Sequence, residues 1–226
     1  MKISKRTLGV LKNFSNINNS ILVDDPKSLK TISYSGNILG IFQTEEDFPR
    51  FCLDNIQQFM NVVNLYDLDN LDFDFHKEFV ELTYGKSNVR YIYPEEHCVQ
   101  SADLEIEDLE YDAFFILNKD TINEFTKVSN YIGITDFEIT MKDGKGTISL
   151  TDTENPFSNK WEKEIEGEGN CEICIVIKNV NMIPGDYEVK VQSEFVVNFT
   201  HTELPLIYFI TIIDEKGFQE NENLLD

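Results

Sequence analysis

The chain has 226 residues, 41 of them acidic and 19 basic, for a formal charge of -22 at neutral pH. With 41% hydrophobic and 12% aromatic residues it has the material for a real core and is not a disordered chain, so the acid belongs to the surface of a folded protein. Such a surface disfavours indiscriminate contact with nucleic acid or anionic membrane and favours basic partners; contact with DNA has to be made by a local exception.

No stretch approaches the ~20 apolar residues of a membrane span. The N-terminus is too polar and basic for a secretory signal, and the reading is a cytoplasmic protein whose Cys52, Cys98, Cys171 and Cys174 are free thiols.

The chain opens with "MKISKRTLGVLKNFSNI", which holds Lys2, Lys5, Arg6 and Lys12 and no acid. Leu8, Leu11 and Phe14 fall on one side of a helix here, Lys5 and Lys12 share another, and Ser4 is the N-cap. Strands follow at "SILVD", "KTISY" and "ILGIF", then a helix from Asp54 to Leu65, then strands at "LDFDF", "FVELTY" and "VRYIYP". Residues 94–112 contain eight acids and no base, which marks an interdomain connector. Beyond it comes a strand "DAFFIL", a helix "NKDTINEFTKVSNY", and strands "DFEITMK", "GTISLT", "KWEKEIE", "CEICIVI", "DYEVKV", "EFVVNF" and "PLIYFITII", with a short helix at "KNVNMIP".

The second half repeats the first. Ser4/Asn118, Lys5/Lys119, Thr7/Thr121, Leu8/Ile122, Leu11/Phe125, Ser15/Ser129 and Asn16/Asn130 correspond at a constant offset, and "EFVELTY" recurs as "EFVVNFT". Two homologous domains in tandem are expected, 1–94 and 112–226, joined by an acidic connector at 95–111. The class is α+β, with antiparallel sheets and two helices in each domain.

The candidate chemical motifs do not hold. Cys171 and Cys174 form a C-x-x-C, but on a strand residues i and i+3 point to opposite faces, and a structural zinc site wants four ligands. His97-Cys98 has the composition of a dyad without its geometry. "DLDNLDF" lacks the glycine of a calcium loop, and "DGKGT" is a hairpin turn without the upstream glycine of a phosphate loop. With no nucleophile, base and oxyanion donor assembled, no enzyme, metal or cofactor is expected. What remains is base on two equivalent helices, Lys5, Arg6, Lys12, Lys119 and Lys127, with Lys178 on the short fourth helix. Charge runs are commonly just solvated faces; the segregation of base from acid favours a phosphate-bearing partner, and the modest density favours loose contact.

The blocks Lys2, Ser4, Lys5, Leu11, Lys12, Asn13, Phe14, Ile17, Asn18 and "NMIPGDYEVKV" (Asn181 to Val191) resemble the sliding clamps of T-even-type bacteriophages, the processivity factors of their DNA polymerases. The resemblance implies the DNA-clamp fold, three subunits closed into a ring, and helices lining a hole for duplex DNA. Lys2, Lys5, Arg6, Lys12, Lys119, Lys127 and Lys178 would then meet phosphates without reading sequence. It also implies a DNA polymerase and a clamp loader as partners, no membrane, and action in the cytoplasm of an infected bacterial host. By likeness to related clamps, Tyr111 and Pro205 would line a partner-peptide pocket. One departure is the helix from Asp54 to Leu65, which carries no base. An acidic DNA mimic that binds a basic protein stays open as the alternative, and a virion structural protein as a third.

Overall fold

The computed structural model describes residues 1–102, 110–134, 136–152, 155, 157–176, 182–193 and 195–212, without the side chains of 173–176. It divides into two compact units, one built on Met1–Glu105 with Asn181–Ile183 and Pro205–Ile207, the other on Ile106–Val180, Pro184–Leu204 and Tyr208–Asp226.

In the first unit the order is α1 (Lys5–Phe14), β1 (Ile21–Val23), β2 (Ser28–Ile32), β3 (Ile38–Gln43), β4 (Phe51–Leu53), α2 (Ile56–Val63), β5 (Leu71–Phe75), β6 (Phe79–Tyr84) and β7 (Ser87–Ile92). β1 pairs with β4, β2 with β3, and β5-β6-β7 form an antiparallel meander. Met1 extends that meander, since its carbonyl accepts the Phe73 N–H and its amino group donates to the Phe73 carbonyl.

The second unit runs β8 (Ala113–Leu117), α3 (Lys119–Ile132), β9 (Asp136–Lys142), β10 (Lys145–Thr151), β11 (Trp161–Gly169), β12 (Cys171–Val176), β13 (Tyr187–Gln192), β14 (Val196–His201) and β15 (Leu206–Thr211). Its strands lie in the order β12-β9-β10-β11-β8-β13-β14-β15. This is the first unit's pattern again. β9 pairs with β12 as β1 does with β4, β10 with β11 as β2 does with β3, and β8 lies along β13 as Met1 lies along β5.

Alternation builds the cores. β5 reads buried, exposed, buried, exposed, half-buried, and β13 buries Tyr187, Val189 and Val191 on one face. A period of two sends one face of each strand inward and leaves Asp72, Asp74 and Glu188 in solvent. The Asp143-Gly144 hairpin between β9 and β10 has φ of 51° and 79° at its two central residues, the left-handed pair that a two-residue turn demands. Among the described residues there are three α-helices, and the chain has an antiparallel α+β architecture. The expected helix at "KNVNMIP" lies largely outside the described residues. The expected helix from 54 to 65 is two residues shorter at each end, because Asn55 caps it and Asn64 closes it. β4 was not expected; its three residues are too few to show a period.

The residues 95–102 are tied down. Arg50 makes a two-point ion pair with Glu96 (2.8 Å each), the Cys52 thiol donates to the Pro94 carbonyl, and Gln100 bonds Asn18 and the Ser33 carbonyl. Val99 and Ala102 are buried.

Candidate nucleic-acid interface

α1 begins at Ser4, whose hydroxyl accepts the Thr7 N–H at 3.1 Å. Thr7, Leu8, Val10, Leu11 and Phe14 are buried, and Lys5, Arg6, Gly9 and Lys12 are exposed. At 100° per residue the four exposed positions fall within roughly 120° of arc, a face that holds no acid and that the half-buried Asn13 shares. No described acid lies in the helix's first turn.

α3 starts 114 residues later with the same capping chemistry. Asn118 Oδ1 accepts from the Thr121 N–H and hydroxyl, both at 2.8 Å. Thr121 and Ile122 are buried, whereas Lys119 and Lys127 are exposed within roughly 80° of each other, with the exposed Asp120 on the same side of the helix. Glu124, beside them, is taken up by Lys163 at 2.7 Å, and that bond holds its carboxyl below the ordinary range.

The predicted cations differ in their freedom. Lys2 Nζ donates to the Asp69 and Leu71 carbonyls at 3.0 Å and lies 3.3 Å from Asp72, so its charge is spent on its own unit. Arg6 lies 3.7 Å from Glu45. Lys5, Lys12, Lys119 and Lys127 make no ion pair within 4 Å among the described residues. Lys178 lies outside the described residues.

α2 buries Ile56, Phe59, Met60 and Val63 and exposes Gln57, Gln58, Asn61 and Asn64. Its outward face is thus polar and uncharged, able to donate hydrogen bonds without adding charge. It is locked to the chain leaving α1 through Asn19, whose carbonyl accepts the Ile56 N–H (2.7 Å) and whose side chain accepts the Gln57 N–H (3.0 Å) and donates to Asn55 (3.1 Å). Sequence gave no sign of this link; an Asn 36 residues from its partner carries no local pattern.

Tyr111 is half-buried with the Lys190 ammonium 5.5 Å from its ring centre, and Pro205 is an exposed residue immediately before β15. His97 and Cys98 sit in a 3-10 turn and are exposed, and Asp67 caps the preceding 3-10 turn through the Asp69 N–H. Cys171 is buried, and burial pushes its thiol up to about 11. No group of three or more His, Cys, Asp or Glu side chains suited to a metal occurs among the described residues.

The sequence is 28% identical to the sliding clamp of Vibrio phage KVP40, over 93% of this chain and 98% of that protein. It is 24% identical to the sliding clamp of Escherichia phage RB69, over 84% and 86%. The chain is a relative of the phage sliding clamps. In fold it is similar to proliferating cell nuclear antigen of Entamoeba histolytica, which superposes with a TM-score of 0.69 at 11% identity over 92% of this chain and 94% of that one. The corresponding antigen of A. fulgidus superposes at 0.70 and 8% identity, over 92% and 95%. No protein-family model matches the chain. With the clamp fold in view, α1 and α3 are repeated helices of one architecture, each with two exposed lysines that pair with no acid among the described residues.

Proposed function

We propose that the protein is a non-enzymatic sliding clamp that encircles duplex DNA and tethers the replicative DNA polymerase for processive synthesis. The observation that carries this reading is the placement of Lys5, Lys12, Lys119 and Lys127 on the outward faces of two repeated helices in a chain of net charge -22. Four diffuse cations hold a polyphosphate loosely and without sequence preference, which permits sliding. The acidic remainder keeps DNA off every other surface.

On this reading two similar domains, 1–94 and 112–226, joined through 95–111, assemble as a homotrimeric ring opened by a clamp loader in the cytoplasm of an infected bacterium. Tyr111 and Pro205 belong to a pocket for partner peptides; the A. fulgidus relative is described with the C-terminal region of FEN-1 bound to it, which supports a peptide mode of recruitment.

The test is retention on circular DNA. After loading, the protein should stay on a nicked circle and leave when the circle is linearised. Equal retention on free linear ends would exclude the ring. Lys5→Glu with Lys12→Glu should lower the processivity of the tethered polymerase, whereas an acidic DNA mimic would tolerate both substitutions.

A further inference from the structure

The turn after β3 carries three successive acids, Glu45, Glu46 and Asp47, and one of them is drawn inward. Glu46 Oε1 accepts the Ser4 N–H at 2.6 Å, and its Oε2 accepts the hydroxyls of Thr7, at 2.7 Å, and of Thr44. Thr7 and Thr44 are buried. The protons of the cluster can be followed one by one. Thr7 N–H donates to Ser4 Oγ, Ser4 Oγ to Thr7 Oγ1, Thr7 Oγ1 to Glu46, Thr44 Oγ1 to Glu46, and Glu46 N–H back to Thr44 Oγ1. Three donors thus converge on one carboxyl, an arrangement that favours the ionised carboxylate over the protonated acid.

The need for that anion follows from the basic face. A helix N-terminus carries a partial positive charge, and Lys5 and Arg6 in the first turn add to it where a helix ordinarily places acid. α3 differs: its first turn already holds Asp120, and Asp186 Oδ1, from outside the helix, accepts the Lys119 N–H at 2.7 Å, one position further in than Glu46 does on α1. Glu46 follows β3, whereas Asp186 precedes β13. The two acids are not repeat equivalents, and of these two helices it is α1 that takes from outside the acid its first turn lacks.

We propose that Glu46 is a positioning residue of the DNA-facing surface: it seats the N-terminal end of α1 and so fixes where Lys5 and Lys12 meet phosphate, while the neighbouring Glu45 only competes with phosphate for Arg6. Glu45 has a side chain 94% exposed and touches Arg6 at 3.7 Å. Lys27 holds the turn itself, donating to the Glu45 and Glu46 carbonyls at 3.1 and 3.2 Å. Burial raises the Glu46 carboxyl, and the donors from Thr44, Ser4 and Thr7 outweigh it and leave the group at about 2.

The inference rests on the sliding-clamp reading, and two measurements on the full-length protein separate the two. In Glu46→Gln, amide exchange across Ser4 to Leu8 should quicken by about tenfold or more, with a smaller rise in Thr44→Val and none in Glu45→Gln, since only the first two remove a partner of the helix end. Unchanged exchange in Glu46→Gln overturns the proposal. The second measurement is binding to a short duplex across a salt series. Glu45→Gln and Glu46→Gln each remove one negative charge, so electrostatics alone would tighten both. Positioning predicts tighter binding for Glu45→Gln and weaker binding for Glu46→Gln, with the salt slope of the latter smaller by about 1 to 2 as α1 contacts are lost. Equal tightening in both overturns the proposal. A wild-type protein that does not stay on a nicked circle after loading removes the clamp reading and the DNA-facing role with it, and the exchange result alone then decides whether Glu46 seats the helix.

Discussion

Gly40 on β3 has no side chain because Phe14 occupies the space. A Cβ built there would lie 2.9 Å from one ring carbon of Phe14 and 3.1 Å from the Thr31 methyl, and Phe14 is the fully buried end of α1's apolar face. Gly40→Ala therefore pushes on the helix that carries Lys5 and Lys12, and we expect a loss of about 1 to 3 kcal/mol in urea unfolding, the usual cost of overpacking. Gly9 is the opposite case. It lies in the middle of α1 on the exposed face with open space where a Cβ would go. Gly9→Ala should stabilise by about 0.5 to 1 kcal/mol, because glycine costs a helix interior that much. Glu46 adds a pH dependence whose sign is fixed by its lowered pKa. A carboxyl more acidic in the folded state than in the unfolded one stabilises above the unfolded value of 4.5 and loses that contribution as pH falls toward about 2. The stability gap between wild type and Glu46→Gln, followed by unfolding at successive pH values, should thus be full at pH 6 and narrow steadily between pH 4.5 and 2. A gap independent of pH would show that the charge is not what matters.

The elements were legible to the extent that they are local. Ser4 and Asn118 announce α1 and α3 because a cap is a short-range signal, and the five-residue alternation of "LDFDF" announces β5 because two faces differ in burial. β4 escaped because Phe51, Cys52 and Leu53 are all buried and show no alternation. The seating of α1 by Glu46, the coupling of α2 through Asn19 and the Arg50–Glu96 tie were invisible for a different reason: each joins residues separated by 36 to 46 positions, and composition carries no trace of the pairing. Of the candidate interface, the exposed lysines could be read, but not which cations are already engaged; Lys2 looks like its neighbours in sequence and is held by Asp69, Leu71 and Asp72 in the fold. The end of α3 offers a test at this scale. Gly133 is its C-cap at φ 72°, and its N–H donates to the Ser129 carbonyl. A side chain there is strained in the left-handed region, so Gly133→Ala should cost about 1 kcal/mol, read by thermal unfolding. The same substitution at Gly9, where φ is helical, goes the other way, and the pair separates backbone conformation from bulk.

At the scale of the molecule the surplus of 22 negative charges and the four unpaired helix lysines pull in opposite directions, and function depends on which wins where. Net repulsion disfavours both DNA contact and self-association, and it weakens as salt screens it, with a Debye length of about 10 Å at 0.1 M. Attraction between four lysines and phosphate weakens with salt as well, by roughly 0.9 in the logarithmic slope for each phosphate neutralised. Assembly and DNA contact should therefore respond to salt in opposite ways. Light scattering from 0.05 to 0.5 M salt should give a particle of three times the 26.2 kDa chain that persists or strengthens as salt rises, while duplex retention falls. Lys5→Glu with Lys12→Glu, two changes per subunit on an exposed face, should leave the scattering mass unchanged and weaken duplex contact at every salt. A double variant that dissociates into 26.2 kDa monomers would place those lysines at a subunit seam and not against DNA.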